Sequence, residues 1–152
     1  MNSNIILRVM TIDDYDNVYA LWTGIKGFGI RSIDDSRDGI AFFLRRNPTT
    51  SVVALDGERV VGAILAGHDG RRGCLYHVCV DKDYREHGIG KKMAEFCIDA
   101  LRKEGISKVN LIAFKSNEIG NAFWRKVGWL FREDLNYYDF TLNDDNITTF
   151  VK

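Results

Sequence analysis

Two glycines separated by one residue, Gly88 and Gly90, are the clearest chemical feature of this sequence, with Arg85 before them and Lys91 and Lys92 after them. They stand between a strand-like run and an amphipathic helical pattern, so they mark a strand-to-helix turn. Glycine allows positive φ and close approach to the main chain, and the first N–H groups of a helix attract anions. Because the helix dipole disfavours lysines in the first turn, something negative should offset them. The pattern predicts a phosphate-binding turn; an ordinary tight turn with solvated lysines is the alternative.

Two better-known phosphate motifs do not fit this turn. The Gly-x-Gly-x-x-Gly dinucleotide fingerprint needs a third glycine where the chain has Met93. The mononucleotide P-loop needs a glycine at the position of Arg85 and a Ser or Thr at that of Lys92. A phosphate group at this turn is therefore held in another way.

The segment from Val80 to Gly90 resembles the acetyl-CoA pyrophosphate loop of the GNAT superfamily of N-acetyltransferases, whose pattern is Arg/Gln-x-x-Gly-x-Gly/Ala. Residues 117–129 resemble the later Asn, helix, Gly and aromatic segment of that family, and the pieces agree in order over about residues 5–142. The resemblance implies an N-acetyltransferase that moves an acetyl group from acetyl-CoA to a primary amine, by direct transfer in a ternary complex. A non-catalytic acyl-CoA-binding or sensor module is the alternative.

The resemblance also implies how the coenzyme is held. The main-chain N–H groups of Val78 and Val80 would face the thioester carbonyl, where donors stabilise the oxyanion that forms during attack. Asn117 would hold the pantetheine or a water, although its helix-capping role is enough to explain it. The implied coenzyme-binding set is Val78, Cys79, Val80, Arg85, Glu86, His87, Gly88, Ile89, Gly90, Lys91, Asn117 and Trp124.

The chain departs from the family pattern at two positions. Many members place a tyrosine seven residues after the Asn to protonate the leaving thiolate, whereas this chain has Trp124, whose indole N–H is only a donor. Members that acetylate ribosomal-protein N-termini have a glutamate base at the position of Ile112. We therefore expect Trp124 to pack or gate near the thiol, and the resemblance does not assign the acid or the base.

The alternation of side chains between the two faces of the strand before the loop favours Tyr76 over His77 as the base. It places Cys74, Tyr76, Val78 and Val80 on one face and Leu75, His77 and Cys79 on the other. Family bases on this strand match Tyr76 and Cys74, so Tyr76 is the first candidate for binding the acceptor or relaying its proton, with a structural tyrosine as the alternative. The same alternation points His77 away, which favours a structural histidine unless a β-bulge reverses the parity.

Other candidates are weaker. Tyr137 and Tyr138, on an expected last hairpin, are possible proton donors to the thiolate. In family members the first two helices line the acceptor pocket, so Trp22 and Phe28, with Tyr76, are the implied substrate contacts, and a core role is the alternative for the first two.

Metal and covalent mechanisms are not expected. Cys74 should lie on the opposite face from His77 and Cys79, and zinc sites usually need four converging ligands. A covalent acyl-enzyme built on the His77–Cys79 couple is the other alternative, and we expect neither.

Periodicity and turn residues predict the elements that position these groups. Helices are expected from Thr11 or Asp13 to Gly24, from near Asp34 to Arg45, from the glycine turn to Gly105, and from Asn117 to Gly128. Strands are expected at 5–9, 51–55, 59–66, 74–80 and 108–114, with a final hairpin at 129–131 and 137–142 and no element in the tail 143–152. The fold class implied is α/β (α+β), a GNAT-like mixed, mostly antiparallel sheet of about six to seven strands flanked by about four helices, in a single domain 1–152 with its core at about 5–142.

Length and composition restrict the number of domains, the kinds of partner and the expected localisation. The 152 residues suffice for one domain, and 21 Lys+Arg balance 21 Asp+Glu, so no net charge favours nucleic acid or a membrane surface. No secretory signal, no membrane-length apolar run and an odd count of three cysteines lead us to expect a cytoplasmic protein. A small amine, an amino acid and a peptide or protein N-terminus remain open as acceptors, and a homodimer is one oligomeric state that the sequence leaves open.

Overall fold

The computed structural model describes residues 4–152, which contain a mixed sheet and flanking helices. The strands are β1 (Ile5–Val9), β2 (Gly29–Arg31), β3 (Val52–Asp56), β4 (Arg59–His68), β5 (Gly73–Val80), β6 (Val109–Leu111) and β7 (Thr148–Phe150). The α-helices are α1 (Tyr15–Thr23), α2 (Arg37–Arg46), α3 (Ile89–Lys103) and α4 (Glu118–Lys126), and short 3₁₀ turns span Ile12–Asp14 and Lys82–Tyr84. Seven strands and four helices in this range confirm the predicted fold class. None of these helices combines the length and apolarity that a membrane crossing needs.

The main sheet has the order β1-β3-β4-β5-β6, and its neighbours are antiparallel except for the last pair. β5 and β6 are parallel, and α3 makes the crossover between them, as a βαβ unit requires. Their pairing covers only Gly73–Leu75 against Val109–Leu111. The C-terminal half of β5 therefore has no strand partner on that side within the described chain.

Hydrophobic clusters cover both faces of the sheet. One lies under α1 and α2 and includes Val18, Trp22 and Ile40, all at most 1% exposed. The other lies under α3, which buries Met93 and Leu101 completely. The apolar stripe predicted for α3 from its spacing is thereby confirmed, and this packing fixes the start of the helix against the sheet.

The expected last hairpin is wrong. Residues 130–142 form no strand, and their main-chain groups make no hydrogen bond to the described residues outside this segment. The apolar side chains at alternate positions of this segment are exposed to solvent: Tyr138, Phe140 and Leu142 are 86%, 86% and 93% exposed. Alternation shows that a segment suits a sheet, but a strand forms only where a free edge is within reach.

The C-terminal tail, for which no element was expected, provides β7. It pairs antiparallel with β2, with Gly29 opposite Phe150 and Arg31 opposite Thr148. The Phe150 ring lies 3.2 Å from the position that a Cβ on Gly29 would occupy, so a side chain there would crowd the ring. The glycine-containing stretch after α1 is therefore anchored as a strand by a segment more than a hundred residues away.

An ion pair fixes the entry to α1. Arg8 on β1 makes a bidentate contact with Asp14, with N–O distances of 2.8 and 2.7 Å, and the Thr11 N–H donates to the same carboxylate at 2.9 Å. Burial alone would raise the pKa of Asp14, but the hydrogen bonds from Arg8 and Thr11 outweigh it and lower that pKa. The carboxylate therefore contributes stability mainly when it is ionised.

We expect Asp14→Asn to lower the free energy of unfolding by about 2 kcal/mol at pH 7, because it removes a charge-assisted pair and weakens a cap. The native pKa is depressed, so this contribution is present above the unfolded-state pKa and is lost as the pH falls through the native one. Urea titrations of wild type and variant at pH 7 and pH 3 should show the difference shrinking. Asp13→Asn, at the exposed neighbouring carboxyl, is the control, and an equal loss in both variants would refute the assignment.

Candidate active site

Strand β5 contains a β-bulge at His77. Leu65 of β4 pairs with Tyr76, but Ala63, two residues earlier in β4, pairs with Cys79, three residues later in β5. One extra residue is thus inserted in β5, and His77 has the positive φ of 50°. Beyond the bulge, every side chain of β5 lies on the opposite face from the one that simple alternation predicts.

The predicted face assignment for β5 is therefore wrong. Val78 and Val80 pack on the α3 side of the sheet, whereas Cys79 belongs to the cluster under α1 and α2. His77 does not point away from Tyr76. Its ring contacts Phe28 at a centroid distance of 4.9 Å, and Tyr76 contacts Phe43 of α2 at 5.9 Å. The bulge brings both candidate side chains to the α1–α2 side.

A cleft of about 280 Å³ opens where β5 and β6 part. One wall is formed by residues 74–78 and the other by residues 111–114, with Asn117 and Trp124 completing it. Four of the residues predicted to bind coenzyme or acceptor line this cleft: Tyr76, Val78, Asn117 and Trp124. His77 also lines the cleft, which the sequence analysis did not expect.

The glycine turn after β5 presents unused donors at the start of α3. Gly88 is the N-cap in the left-handed conformation, with φ of 80°, and no side chain caps this end. The first helical bond is from the Lys92 N–H to the Gly88 carbonyl at 3.1 Å, and the four preceding N–H groups donate to no other residue of the described chain. A Cβ on Gly88 would meet nothing within 4 Å, so a ligand can approach the main chain. This donor set fits a diphosphate.

Arg85 is positioned beside the same turn. Its Nε donates to the Val80 carbonyl at 3.1 Å, and the rest of the guanidinium remains exposed for an anion. The Asp81 N–H donates to Val61 at 2.8 Å, and main-chain groups alternate in direction along an antiparallel pair. The N–H and C=O of Val80 therefore point away from β4, to the side of the cleft. This orientation agrees with the donor role predicted for Val80.

Asn117 and Trp124 are held by the two ends of α4. The Asn117 side chain accepts from the Gly120 N–H at 3.0 Å, as its predicted capping role requires. At the other end, Trp129 donates its N–H to the Trp124 carbonyl at 2.9 Å and packs on the Trp124 ring at 4.8 Å. This is a Schellman arrangement with its hydrophobic contact. It supports a packing role for Trp124 at the wall of the cleft.

Three predicted site residues lie elsewhere than expected. Trp22 is 0% exposed in the core, so the substrate contact predicted for it is wrong, while Phe28 is only partly buried. Tyr138 does not line the cleft, because the hairpin expected to carry it does not form. The Cys79 side chain is buried on the far side of β5 from α3, so only its main chain is available to a coenzyme.

Neither a covalent nor a metal mechanism gains support. Burial raises the pKa of the Cys79 thiol to about 12, which opposes the thiolate that a nucleophile needs. Cys74, the partly exposed cysteine at the cleft, also has its pKa raised by burial. Among residues 4–152 no three His, Cys, Asp or Glu side chains gather as metal ligands.

Sequence reasoning missed Asp35 and Asn121. The Asp35 carboxylate, whose side chain is 5% exposed, lies 2.9 Å from His77 Nε2, although the two residues are 42 positions apart. Asn121 of α4 donates to the carbonyls of Phe114 and Asn117 at 2.9 and 2.8 Å and so ties the cleft wall to the helix. Asn121 lies four residues after the predicted N-cap Asn117, and this spacing could have indicated a side-chain contact with the start of α4. No local pattern in the sequence could have indicated Asp35, because only the fold brings it next to β5.

The chain belongs to the acetyltransferase (GNAT) family, whose family model matches residues 15–129. An acetyltransferase of Sodalis glossinidius is 31% identical over 121 residues, which cover 80% of this chain and 84% of that protein. N-alpha-acetyltransferase 30 of Schizosaccharomyces pombe is 29% identical over 108 residues, 64% of this chain and 72% of that protein. The PaiA N-acetyltransferase of Thermoplasma acidophilum, solved with coenzyme A, has the same fold at a TM-score of 0.69 and 17% identity, over 82% of this chain and 89% of that one.

These comparisons confirm what the resemblance implied about class. The protein is an acetyltransferase, and acetyl-CoA is its co-substrate. The unused N–H groups of the glycine turn and the adjacent cleft are the features of this chain that suit that coenzyme. The roles of individual residues and the identity of the acceptor stay predictions.

We expect Gly88→Val to weaken coenzyme A binding at least about tenfold. A β-branched residue at a left-handed φ costs about 1–2 kcal/mol, and relieving that strain moves the N–H groups out of position. The control is Gly105→Val, because Gly105 has nearly the same φ, 83°, and equally open surroundings just beyond the other end of α3. Calorimetric titration with coenzyme A should separate the two, and unchanged affinity in Gly88→Val would contradict the cradle.

Tyr76 should act as a hydrogen-bond donor and not as a phenolate base. Although half of its surface is exposed, burial of the remainder and the neighbouring Cys74 raise its pKa well above the ordinary value of 10.0. A tyrosinate absorbance titration of wild type minus Tyr76→Phe should therefore show no ionisation from this residue below pH 10. An ionisation near pH 8 that disappears in the variant would restore the phenolate as a candidate base.

Proposed function

We propose that this acetyltransferase transfers the acetyl group directly from acetyl-CoA to a primary amine, within a ternary complex. The observation that carries the proposal is the continuity of two features, the unsatisfied N–H groups of residues 88–91 and the cleft where β5 leaves β6. A diphosphate at the first and a thioester in the second would lie along one strand edge. Both substrates can then be present together, which direct transfer requires.

The residues around the cleft have distinct tasks in this proposal. The N–H groups of residues 88–91 and the Arg85 guanidinium bind the diphosphate. The main-chain N–H groups of Val78 and Val80 face the carbonyl oxygen, where negative charge develops. When bound, acetyl-CoA supplies the activated acyl thioester. The nitrogen–carbon bond to the acceptor forms as the carbon–sulfur bond breaks, and the thiolate leaves.

Proton removal from the acceptor is a larger demand than proton delivery to the thiolate. A lysine-like amine is protonated up to about pH 10.4, whereas a free thiol has a pKa of about 8.5. Replacing the acidic phenol by Trp124 removes a general acid, and this slows the reaction less than the loss of a general base would. The missing tyrosine is therefore compatible with turnover, with solvent or another side chain protonating the thiolate.

The aromatic mouth of the cleft favours an amine carried on an apolar or peptide-like group. Tyr76 is half exposed, and Phe114, which lines the same cleft, forms an exposed pair with Phe150 at a ring-centroid distance of 6.0 Å. One relative is by name an N-alpha-acetyltransferase, which acts on an amino terminus. A peptide or protein N-terminus, an amino acid and a small amine are the acceptor classes that we propose.

Release of free thiol from acetyl-CoA, followed with a thiol reagent, tests the proposal on a panel of amino acids, small amines and short peptides with free N-termini. We expect at least one class to release thiol well above acetyl-CoA alone, and the same peptide with a blocked N-terminus to release none. Mass spectrometry should show a gain of one acetyl group on the amine. Calorimetric binding of acetyl-CoA without turnover on any amine would instead support the sensor module.

A further inference from the structure

We propose that His77, oriented by Asp35, is the base that takes the proton from the acceptor amine. This inference rests on the proposed function and adds to it a residue pair that no comparison assigns. The one-residue bulge in β5 is its structural basis, because it turns the imidazole toward α1 and α2 while His77 still lines the cleft. A strand without the bulge would place this ring on the α3 side.

The imidazole is held firmly. Its Nε2 lies 2.9 Å from both oxygens of the Asp35 carboxylate, and its ring packs against Trp22 and Phe28 at centroid distances of 4.8 and 4.9 Å. About a quarter of the side chain, 23%, remains exposed. A carboxylate at Nε2 keeps the proton on that nitrogen, so Nδ1 carries the lone pair of the neutral ring.

Asp35 is itself fixed from two directions. Its carboxylate accepts from the Arg31 N–H at 2.7 Å, and its main-chain carbonyl accepts from the Tyr15 hydroxyl at 2.7 Å. The side chain is 5% exposed, and within the described residues no Lys or Arg side chain forms a salt bridge with it. A buried carboxylate paired with one imidazole stabilises the imidazolium that forms when His77 accepts a proton.

Neighbouring groups leave His77 as the best placed base. The other titratable or charged side chains on the elements around it are Tyr15, Asp16 and Tyr19 of α1, Arg31 and Asp34 before α2, and Cys74, Tyr76 and Cys79 on β5. Tyr76 and Cys79 have raised pKa values because of burial, so both stay protonated near neutral pH. Histidine is the side chain that normally accepts a proton in this range.

The proton balance is simple. An ammonium N–H bond of the acceptor breaks, directly or through one water, and an N–H bond forms at His77 Nδ1. The freed lone pair on the acceptor nitrogen attacks the thioester carbon, and the imidazolium charge is balanced by Asp35. The proton then passes to solvent or to the departing thiolate, which restores the neutral imidazole. Asp35 is a positioning residue in this scheme, since it acts only through His77.

The test compares the pH dependence of kcat/KM for wild type, His77→Asn and Asp35→Asn, with the best amine from the panel. Asparagine tolerates positive φ, so His77→Asn preserves the bulge. We expect His77→Asn to lose at least about a hundredfold in kcat/KM at pH 7 and to lose the acidic limb of the profile. Asp35→Asn should move that limb and lower kcat more than it raises KM. Affinity for coenzyme A, measured by calorimetry, should stay within threefold of wild type in both.

The control is His68→Asn, because His68 also pairs with a carboxylate, Glu104 at 3.5 Å, but does not line the cleft. It should leave the profile unchanged. A retained acidic limb in His77→Asn, with less than a threefold loss, would overturn the base assignment while leaving the acetyltransferase function intact. Wild-type inactivity on every amine would instead overturn the proposed function, and the base role with it. Loss of coenzyme affinity in His77→Asn would mean a structural role and would also overturn the inference.

Discussion

The parting of β5 from β6 is the constraint on which the rest of the site depends. The two strands pair over only three residues each, so the C-terminal half of β5 has no strand partner on that side among residues 4–152. Main-chain N–H and C=O groups are costly to leave unsatisfied, and a bound molecule can satisfy them. The cleft, and the access to the Val80 main chain from that side, both follow from this divergence.

The bulge in β5 and the glycine turn after it determine which groups face the cleft from each side of the sheet. The extra residue at His77 sends the following valines toward α3 and leaves the histidine with α1 and α2. The glycine turn then starts a helix whose first N–H groups, those of residues 88–91, have no acceptor among the described residues. In the proposed function, the coenzyme and the acceptor therefore approach opposite faces of one strand. The core under α3 keeps this geometry rigid, because Met93 and Leu101 are completely buried.

Local chemistry made the glycine turn and the helix ends at Gly105 and Asn117 predictable. Gly88, Gly105 and Asn117 act where their residue types indicated, because a positive φ or a capping side chain is a requirement of the nearest few residues. The predictions failed where the answer depended on a distant partner. Trp22 belongs to the core, residues 130–142 are not a hairpin, and β7 forms in a tail that showed no pattern.

By itself the sequence determined the family, the order of most elements and the position of the glycine turn before α3, since each of these depends on the types and spacing of residues close together in the chain. Only the tertiary structure decided which way the side chains of β5 face, because one inserted residue reverses the alternation and changes no residue type. It alone brought Asp35 to His77, across 42 positions, and the C-terminal segment to β2. Contacts between distant segments depend on how the layers pack, and packing is a property of the whole chain.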